Sequence, residues 1–419
     1  MKRIIEIAHA IEGYDPDALP VDKARAAIRA CLTPVAGTVR VPVREALGRV
    51  LAQDIVPGID VPGHDNTAMD GYAVRFADLQ ADATVLVEVG AALAGKAFGG
   101  KLAPGQCVRV TTGAVMPAGA DTVVVQEVVK VNGAKVTVPP GQKAAQNVRY
   151  AGEDLKKGVP VLKPGQWLRP AELGLMASLG IGAVAVRRKL RVAFFSTGDE
   201  LASIGTTLKE GEVYDSNRYT LHGMLTRLGV EIHDLGVVRD DPAPLEAAFR
   251  KAAANADAII TTGGVSVGEA DFVKPMMAKL GEALFWRIAM RPGRPMAFGR
   301  IGEAFLFGLP GNPVAVMVTF YQFVREALLL LAGRAGDCAP VLLEARAAEA
   351  LRKVPGRTEY QRGILFREGD GLQVKTTGQQ GSGVLRSMSE ANCFIVLEHG
   401  RGKVAAGDTV RVQRFEGLA

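Results

Sequence analysis

Residues Asp257–Asp271, DAIITTGGVSVGEAD, decide how this chain is read. Ala258–Ile260 is a continuous apolar run, the pattern of a strand buried on both faces. It passes directly into Thr-Thr-Gly-Gly, then into an acid-bearing turn, then into DFVKPMMAKL, which has the texture of a helix start. Gly263 and Gly264 permit positive φ and remove side chains where a ligand would approach, and free amides at the next helix N-terminus favour an anion. The loop suits a phosphate or similar oxyanion. It suits a tight strand-to-helix turn equally well, so its neighbours must decide.

Those neighbours alternate strand and helix. Val192–Phe195 reads as a strand, and Asn217–Leu228 as a helix with Leu221, Met224, Leu225 and Leu228 on one face. Val230–Val238 reads as a second strand. Asp241-Pro242 then gives a cap followed by proline at the first helical position, with Leu245, Ala248, Phe249 and Ala252 at helical spacing. Beyond the central strand, Leu284–Ala289 and Ala304–Phe307 read as strands, and Leu309-Pro310-Gly311-Asn312-Pro313 opens a helix to about Ala332, capped by Asn312. The alternation predicts a parallel α/β layer with right-handed crossovers, in which ligands bind at the carboxyl ends of the strands.

Outside this layer the rhythm differs. Val21–Leu32 and Val43–Ala52 read as helices. From Asp54 to about Asn147, short β-branched runs (Val85–Val89, Val108–Thr111, Thr122–Val125, Lys135–Val138) alternate with Gly/Pro turns, which predicts a small inserted β domain. Pro-Gly-Gln at Pro104, Pro140 and Pro164 reads as three turns. After Pro340 short strands return, notably Cys393–Leu397. The expected division is a discontinuous N-terminal helical and linker domain (1–53 with 147–183), a β domain (54–146), an α/β domain (184–335) and a small C-terminal β domain, barrel-like (336–419).

Composition bounds the chemistry. A chain of 419 residues with 48% hydrophobic and 22% charged residues exceeds one compact core. The net charge of +6 comes from mixed charges with no long basic run; it fits small anions as readily as nucleic acid and by itself decides nothing, and a nucleic-acid partner is not expected. Cys31, Cys107, Cys338 and Cys393 lie far apart and at no zinc-type spacing. The N-terminus lacks a signal-peptide core, and the most apolar stretch, Val314–Leu331, is broken by Thr319, Gln322, Arg325 and Glu326. A cytoplasmic protein without a membrane partner is expected.

Three strand ends carry unusual polar loops: Ser196-Thr197-Gly198-Asp199-Glu200, the TTGG loop with Ser266 and Asp271, and LPGNP. Glu200, Asp271 and Asp240 beside a glycine loop form a carboxylate set suited to holding magnesium against a phosphate. Asp240 and Asp241 serve equally as helix caps. Arg291-Pro292-Gly293-Arg294-Pro295 presents two guanidinium forks on a stiff turn, which fit a tetrahedral oxyanion and also fit a solvated surface. His64–Ala73 contains Asp65 and Asp70 in a polar loop, and Thr111-Thr112-Gly113 alone reads as an ordinary turn. Nucleophile motifs, GxGxxG and GxxxxGK[ST] are absent from the sequence, which argues against covalent catalysis, dinucleotide binding and P-loop hydrolysis.

Taken in order, VPGHDNTAMDGYAV, VTTGAVMPAGADTVVVQE, STGDEL, YDSNR, RDDP, TTGGVSVGEADF, LPGNPVA and NCFIVLE resemble the MoeA family, molybdopterin molybdenumtransferases related to the gephyrin E domain. The resemblance runs from about Val21 to Val412. It implies that adenylated molybdopterin and molybdate are converted to molybdenum cofactor and AMP with Mg2+. It further implies an elongated four-domain subunit and a homodimer with shared active sites, with possible docking of an adenylyltransferase and of molybdoenzyme-maturation partners. By the same resemblance Asp65 and Thr112 act from the second subunit, Glu200, Asp240 and Asp271 are the acidic catalytic and metal residues, and Pro310 and Pro313 are the LPGNP prolines. Thr197, Gly198, Gly263, Gly264, Ser266, Arg291, Arg294, Gly311 and Asn312 complete the expected substrate-binding set. RPGRP stands where many relatives are expected to carry lysines, and Thr67 where serine is commoner. A molybdopterin-binding scaffold and a tungstate-inserting enzyme are the alternative readings.

Overall fold

The computed structural model of the chain describes residues 18–264 and 273–415. Strands β1 (Arg191–Thr197), β2 (Glu231–Val238), β3 (Ala258–Thr262), β4 (Glu282–Arg287), β5 (Pro295–Ile301) and β6 (Ala304–Leu309) form one sheet in the order β2-β1-β3-β6-β5-β4. The first four in that order are parallel. β5 and β4 run antiparallel to their neighbours. The expected parallel layer is therefore a mixed sheet. The difference is β5, which the sequence pattern conceals because Pro292, Gly293 and Pro295 announce a turn, yet a strand tolerates proline at its first residue.

Helices cover both faces. Alternation along β1 sends Val192 and Phe194 to one side and Ala193 and Phe195 to the other. On the first side lie α1 (Ser216–Arg227), the long helix α4 (Pro313–Leu331) and the opening helix Val21–Cys31. On the second lie α2 (Pro242–Asn255) and α3 (Val273–Leu280). The opening helix buries Val21, Ala24, Ala27, Ile28 and Cys31 in the α/β core. α4 is long and apolar enough to cross a membrane, but 89% of that apolar window is buried inside the protein, as in a core helix. Its middle, Phe320–Val324, is a π turn, and Arg25 Nε donates to the Gln322 carbonyl there at 2.9 Å.

The N-terminal unit pairs Thr38–Pro42 with Ala183–Arg187 across a long insertion. The helix expected over Val43–Ala52 is only a 3-10 turn, Val43–Ala46. Gly48 takes φ +68 there, and Val50 and Leu51 then bridge to Trp167 and Val186. The insertion holds a six-stranded sheet that includes Thr84–Ala92, Gln106–Val110, Thr122–Val125 and Lys135–Val138. At the three Pro-Gly-Gln sites, Gly105, Gly141 and Gly165 have φ of 76, 86 and 87, a left-handed conformation natural to glycine in turns.

The C-terminal sheet closes into a small barrel through pairing of Thr358–Glu368 with Cys393–Leu397. Ala345, Val374, Ile395 and Val412 help fill its interior. Tyr360 and Phe394 instead join the α/β core, where Phe394 meets Tyr321 at 6.1 Å and Phe415 at 4.7 Å between ring centroids. Met290–Arg291 adds to the barrel sheet, so the chain leaves the α/β layer there and returns through RPGRP.

Candidate functional site

The parallel strands end at a common edge, and the loops leaving them surround a cavity of about 670 Å3. β1 contributes Thr197, Gly198 and Glu200, the loop after β2 contributes Asp240, and β3 contributes Gly263 and Gly264. Pro310, Gly311 and Asn312 follow β6, and Ala315 comes from the first turn of α4. Arg291 and Arg294 of the RPGRP turn line the cavity too. Pro313 heads α4 directly behind this lining. Of the residues expected to bind or react, Ser266 and Asp271 fall outside the described residues.

The glycines are dictated by close approach. Gly263 has φ +90, and a Cβ there would stand 2.3 Å from the Thr197 carbonyl oxygen. The two strand ends touch backbone to backbone. Gly198 leaves room for the Glu200 carboxylate, because a Cβ there would lie 2.6 Å from Glu200 Oε2. Gly293, at φ +93, packs against Thr319, whose Oγ1 would be 2.5 Å from an added Cβ. The RPGRP turn therefore lies tight on α4 while its arginines remain exposed.

A buried polar layer ties the loops together from below. Thr262 Oγ1 donates to Ser196 Oγ at 3.1 Å, and Ser196 Oγ donates to Asp215 Oδ1 at 3.1 Å. Asp215 is 2% exposed and also caps α1 by accepting from the Arg218 amide. Asn217 Nδ2 donates to the Gly311 carbonyl at 2.6 Å. Asp215 and Asn217 lie in the YDSNR stretch, to which the sequence alone assigned no role. Capping was the available signal, since Asp precedes an amphipathic helix.

Asp240 accepts a short hydrogen bond from Thr197 Oγ1, and its own amide donates to Asp199 Oδ1 at 3.4 Å. Burial pushes its pKa upward and the nearby Asp199 and Glu200 charges add to that, against the Thr197 hydrogen bond. This crowding of acids fits a divalent cation. Mg2+ typically takes one or two protein carboxylates and completes its shell with water and substrate phosphate, so Glu200 and Asp240 are a sufficient protein share. No cluster of three or more His, Cys, Asp or Glu suited to a metal occurs among the described residues.

The barrel supplies a wall that the sequence reading missed: Arg357, Gln380, Gly381 and Ser382 also line the cavity. Arg362, 1% exposed, holds that wall by donating to the Gly381 carbonyl at 3.1 Å and to Ser387 Oγ at 3.1 Å. Burial, with Arg291 nearby, lowers the Arg362 pKa to about 10. The Ser382 carbonyl accepts from the Val314 amide at 3.1 Å, joining the wall to α4. TTGQQGSG, Thr376–Gly383, was the signal available, a glycine-rich polar loop like those of the α/β edge.

Asp65 and Thr112 do not line this cavity within one chain. Both are exposed on the inserted unit. Asp65 Oδ1 accepts from the Ala151 amide at 2.8 Å. The Thr112 amide and hydroxyl both donate to Asp70 Oδ1, at 2.7 and 2.8 Å, and these bonds draw the Asp70 pKa below its ordinary value.

Comparison with known proteins matches three family descriptions in sequence order. They are the MoeA N-terminal region (domain I and II) over residues 19–180, the probable molybdopterin binding domain over 193–329, and the MoeA C-terminal region (domain IV) over 344–415. A molybdopterin molybdenumtransferase of Haemophilus influenzae is 44% identical over 402 residues, 96% of this chain and 99% of that protein. One from Nostoc sp. is 38% identical, over 88% of this chain and 86% of that protein. A crystal structure of the molybdopterin biosynthesis moeA protein from Pyrococcus horikoshii OT3 superposes with a TM-score of 0.82 at 30% identity, covering 95% of this chain and 100% of that one.

Proposed function

This chain belongs to the MoeA family, and from that premise we propose that it is a molybdopterin molybdenumtransferase, an enzyme of molybdenum cofactor biosynthesis that inserts molybdenum into molybdopterin. The observation that carries the reading is the cavity itself, where a glycine loop, two arginines and two carboxylates face one space of about 670 Å3. Molybdate is a dianion and an adenylated pterin carries phosphates, so both cation forks and cation-holding carboxylates have a task in one site.

In the finer proposal the substrate is adenylated molybdopterin and the products are molybdenum cofactor and AMP. Arg291 and Arg294 bind oxyanion oxygens from the RPGRP turn, and the Gly263-Gly264 turn lets a phosphate approach the backbone. Glu200 and Asp240, together with Asp271 of the sequence motif, would hold Mg2+. When bound, that ion would offset charge on the phosphate whose P–O bond to AMP is cleaved by water. Thr197 orients Asp240 through its hydrogen bond, which commits one carboxylate oxygen and leaves the other without a hydrogen bond among the described residues. Molybdenum itself is cargo: the pterin's dithiolene receives it, and all four cysteines are buried away from the lining.

A homodimer with shared sites, in which Asp65 and Thr112 reach the partner's cavity, is part of the same proposal. Exposed apolar Val39, Leu47, Val56, Ile59 and Val159 on the N-terminal unit support a protein interface there. Action in the cytoplasm is proposed too, supported by mixed surface charge and by the burial of α4. The test is an insertion assay with adenylated molybdopterin, Mg2+ and molybdate, following AMP release and reconstitution of a molybdenum-free apoenzyme. Molybdate-dependent release with active cofactor is expected. Binding of the adenylated pterin without turnover, with either molybdate or tungstate, would favour a scaffold.

A further inference from the structure

We propose that Asn217 is a positioning residue whose side chain turns the Gly311–Asn312 peptide so that the Asn312 amide donates to a tetrahedral oxyanion in the cavity. This rests on reading the cavity as an oxyanion site. Gly311 and Asn312 line the cavity, whereas Asn217 does not and is 7% exposed behind it. Asn217 Nδ2 donates to the Gly311 carbonyl at 2.6 Å, which draws that oxygen out of the cavity and toward α1. The peptide is trans, and a planar trans peptide points its N–H opposite to its C=O. The Asn312 N–H is therefore on the side of the peptide away from Asn217, and Asn312 is a lining residue of the cavity.

Of the other donors of this helix start, the Ala315 amide also has no acceptor among the described residues, and Ala315 lines the same cavity. Pro313 has no N–H, and the Val314 amide donates to the Ser382 carbonyl. Among the described residues the Asn312 amide finds no acceptor. It sits at the positive end of α4, where an anion is favoured. The Asn312 side chain makes no capping bond that would compete. Asn217 Oδ1 is buried without a partner among the described residues, so within them the side chain is held by its bond to Gly311 rather than by a wider network.

Either molybdate or the phosphate of the nucleotide presents the required chemistry, so the test uses molybdate and AMP as separate probes. Full-length protein is titrated with each by calorimetry, for wild type, Asn217→Asp and Asn217→Ala. Asn217→Asp keeps the volume and removes the donor. The expected result is that both variants bind one probe about tenfold more weakly and leave the other within about twofold, since one oriented hydrogen bond to a charged group is lost. A purely packing role would be preserved in Asn217→Asp, so normal binding of both probes by that variant overturns the assignment.

Should the variants fail to fold, the wild-type protein decides. The dipeptide Gly-Asn occurs once in the chain, at 311–312. Carbonyl-13C glycine with 15N asparagine therefore isolates the Asn312 amide as a single NMR signal. A downfield shift on adding one of the two probes is expected, and a signal that neither probe moves although at least one binds overturns the proposal. Wild type that binds neither probe overturns the oxyanion reading of the cavity together with this assignment, whereas bound probes with unaffected variants overturn the assignment alone.

Discussion

A single methyl group at Gly263 would collide with the backbone of the neighbouring strand end, 2.3 Å from the Thr197 oxygen, at a φ that L-residues rarely adopt. Gly263→Ala is expected to cost about 2–4 kcal/mol from strain and overpacking together, measured by urea denaturation. An unchanged midpoint would mean that the strand ends do not pack this closely. Asp240 offers a different test. Its folded pKa is raised, so the native state binds more protons than the unfolded one, and stability is lost as pH rises from 3.8 through the folded value. Asp240→Asn should therefore raise the melting temperature at pH 7, and the gain should shrink as pH falls toward 3.8, while insertion activity drops. No gain at neutral pH would remove burial as the dominant influence. The glycine was legible in the sequence because its freedom is a property of the residue type. The altered acidity was not, since it depends on burial and on two other acids brought close by folding.

The strands show the same division between what local pattern specifies and what only packing reveals. β3 begins at a buried ion pair: Asp257, 8% exposed, accepts from Arg188 Nη1 and Nη2 at 2.7 Å and from the Arg191 amide at 2.8 Å. Burial raises the Asp257 pKa, but the Arg188 and Arg191 hydrogen bonds outweigh it and hold it at about 2. An acid with a depressed folded pKa stabilises above its unfolded value, so this contribution is complete at neutral pH and fades between 3.8 and about 2. Asp257→Asn should cost about 2–3 kcal/mol at pH 7, below the full loss for a buried pair because Arg191 is partly solvated. Equal urea midpoints for the two proteins at pH 7 would refute this. β1, β2, β3 and β6 were legible from apolar runs and helix caps. β5 was hidden behind its prolines, and the Gln380–Ser382 wall behind a barrel whose strands carry no sign of which loop faces a neighbour.

At the scale of the whole molecule, the cavity holds Glu200 but not Asp65 or Thr112, which lie exposed on the inserted unit of the same chain. If two copies complete each other's sites, mixing Asp65→Ala with Glu200→Ala subunits should recover about a quarter of wild-type insertion activity, because half the dimers are mixed and each carries one intact site. No recovery after subunit exchange would assign all these residues to one chain. The order of units along the chain was legible from changes in texture, whereas their contacts were not.

The aromatic seam of Tyr321, Tyr360, Phe394 and Phe415 bears on how this protein can be divided. A cut near residue 336 looks clean along the sequence but passes through one hydrophobic core shared by α4 and the barrel. A fragment ending there would bare Tyr321 and its apolar neighbours on this long helix, and it would also lose the Gln380–Ser382 wall. The barrel is thus no detachable appendage: solubility and a complete binding site are inherited together or lost together.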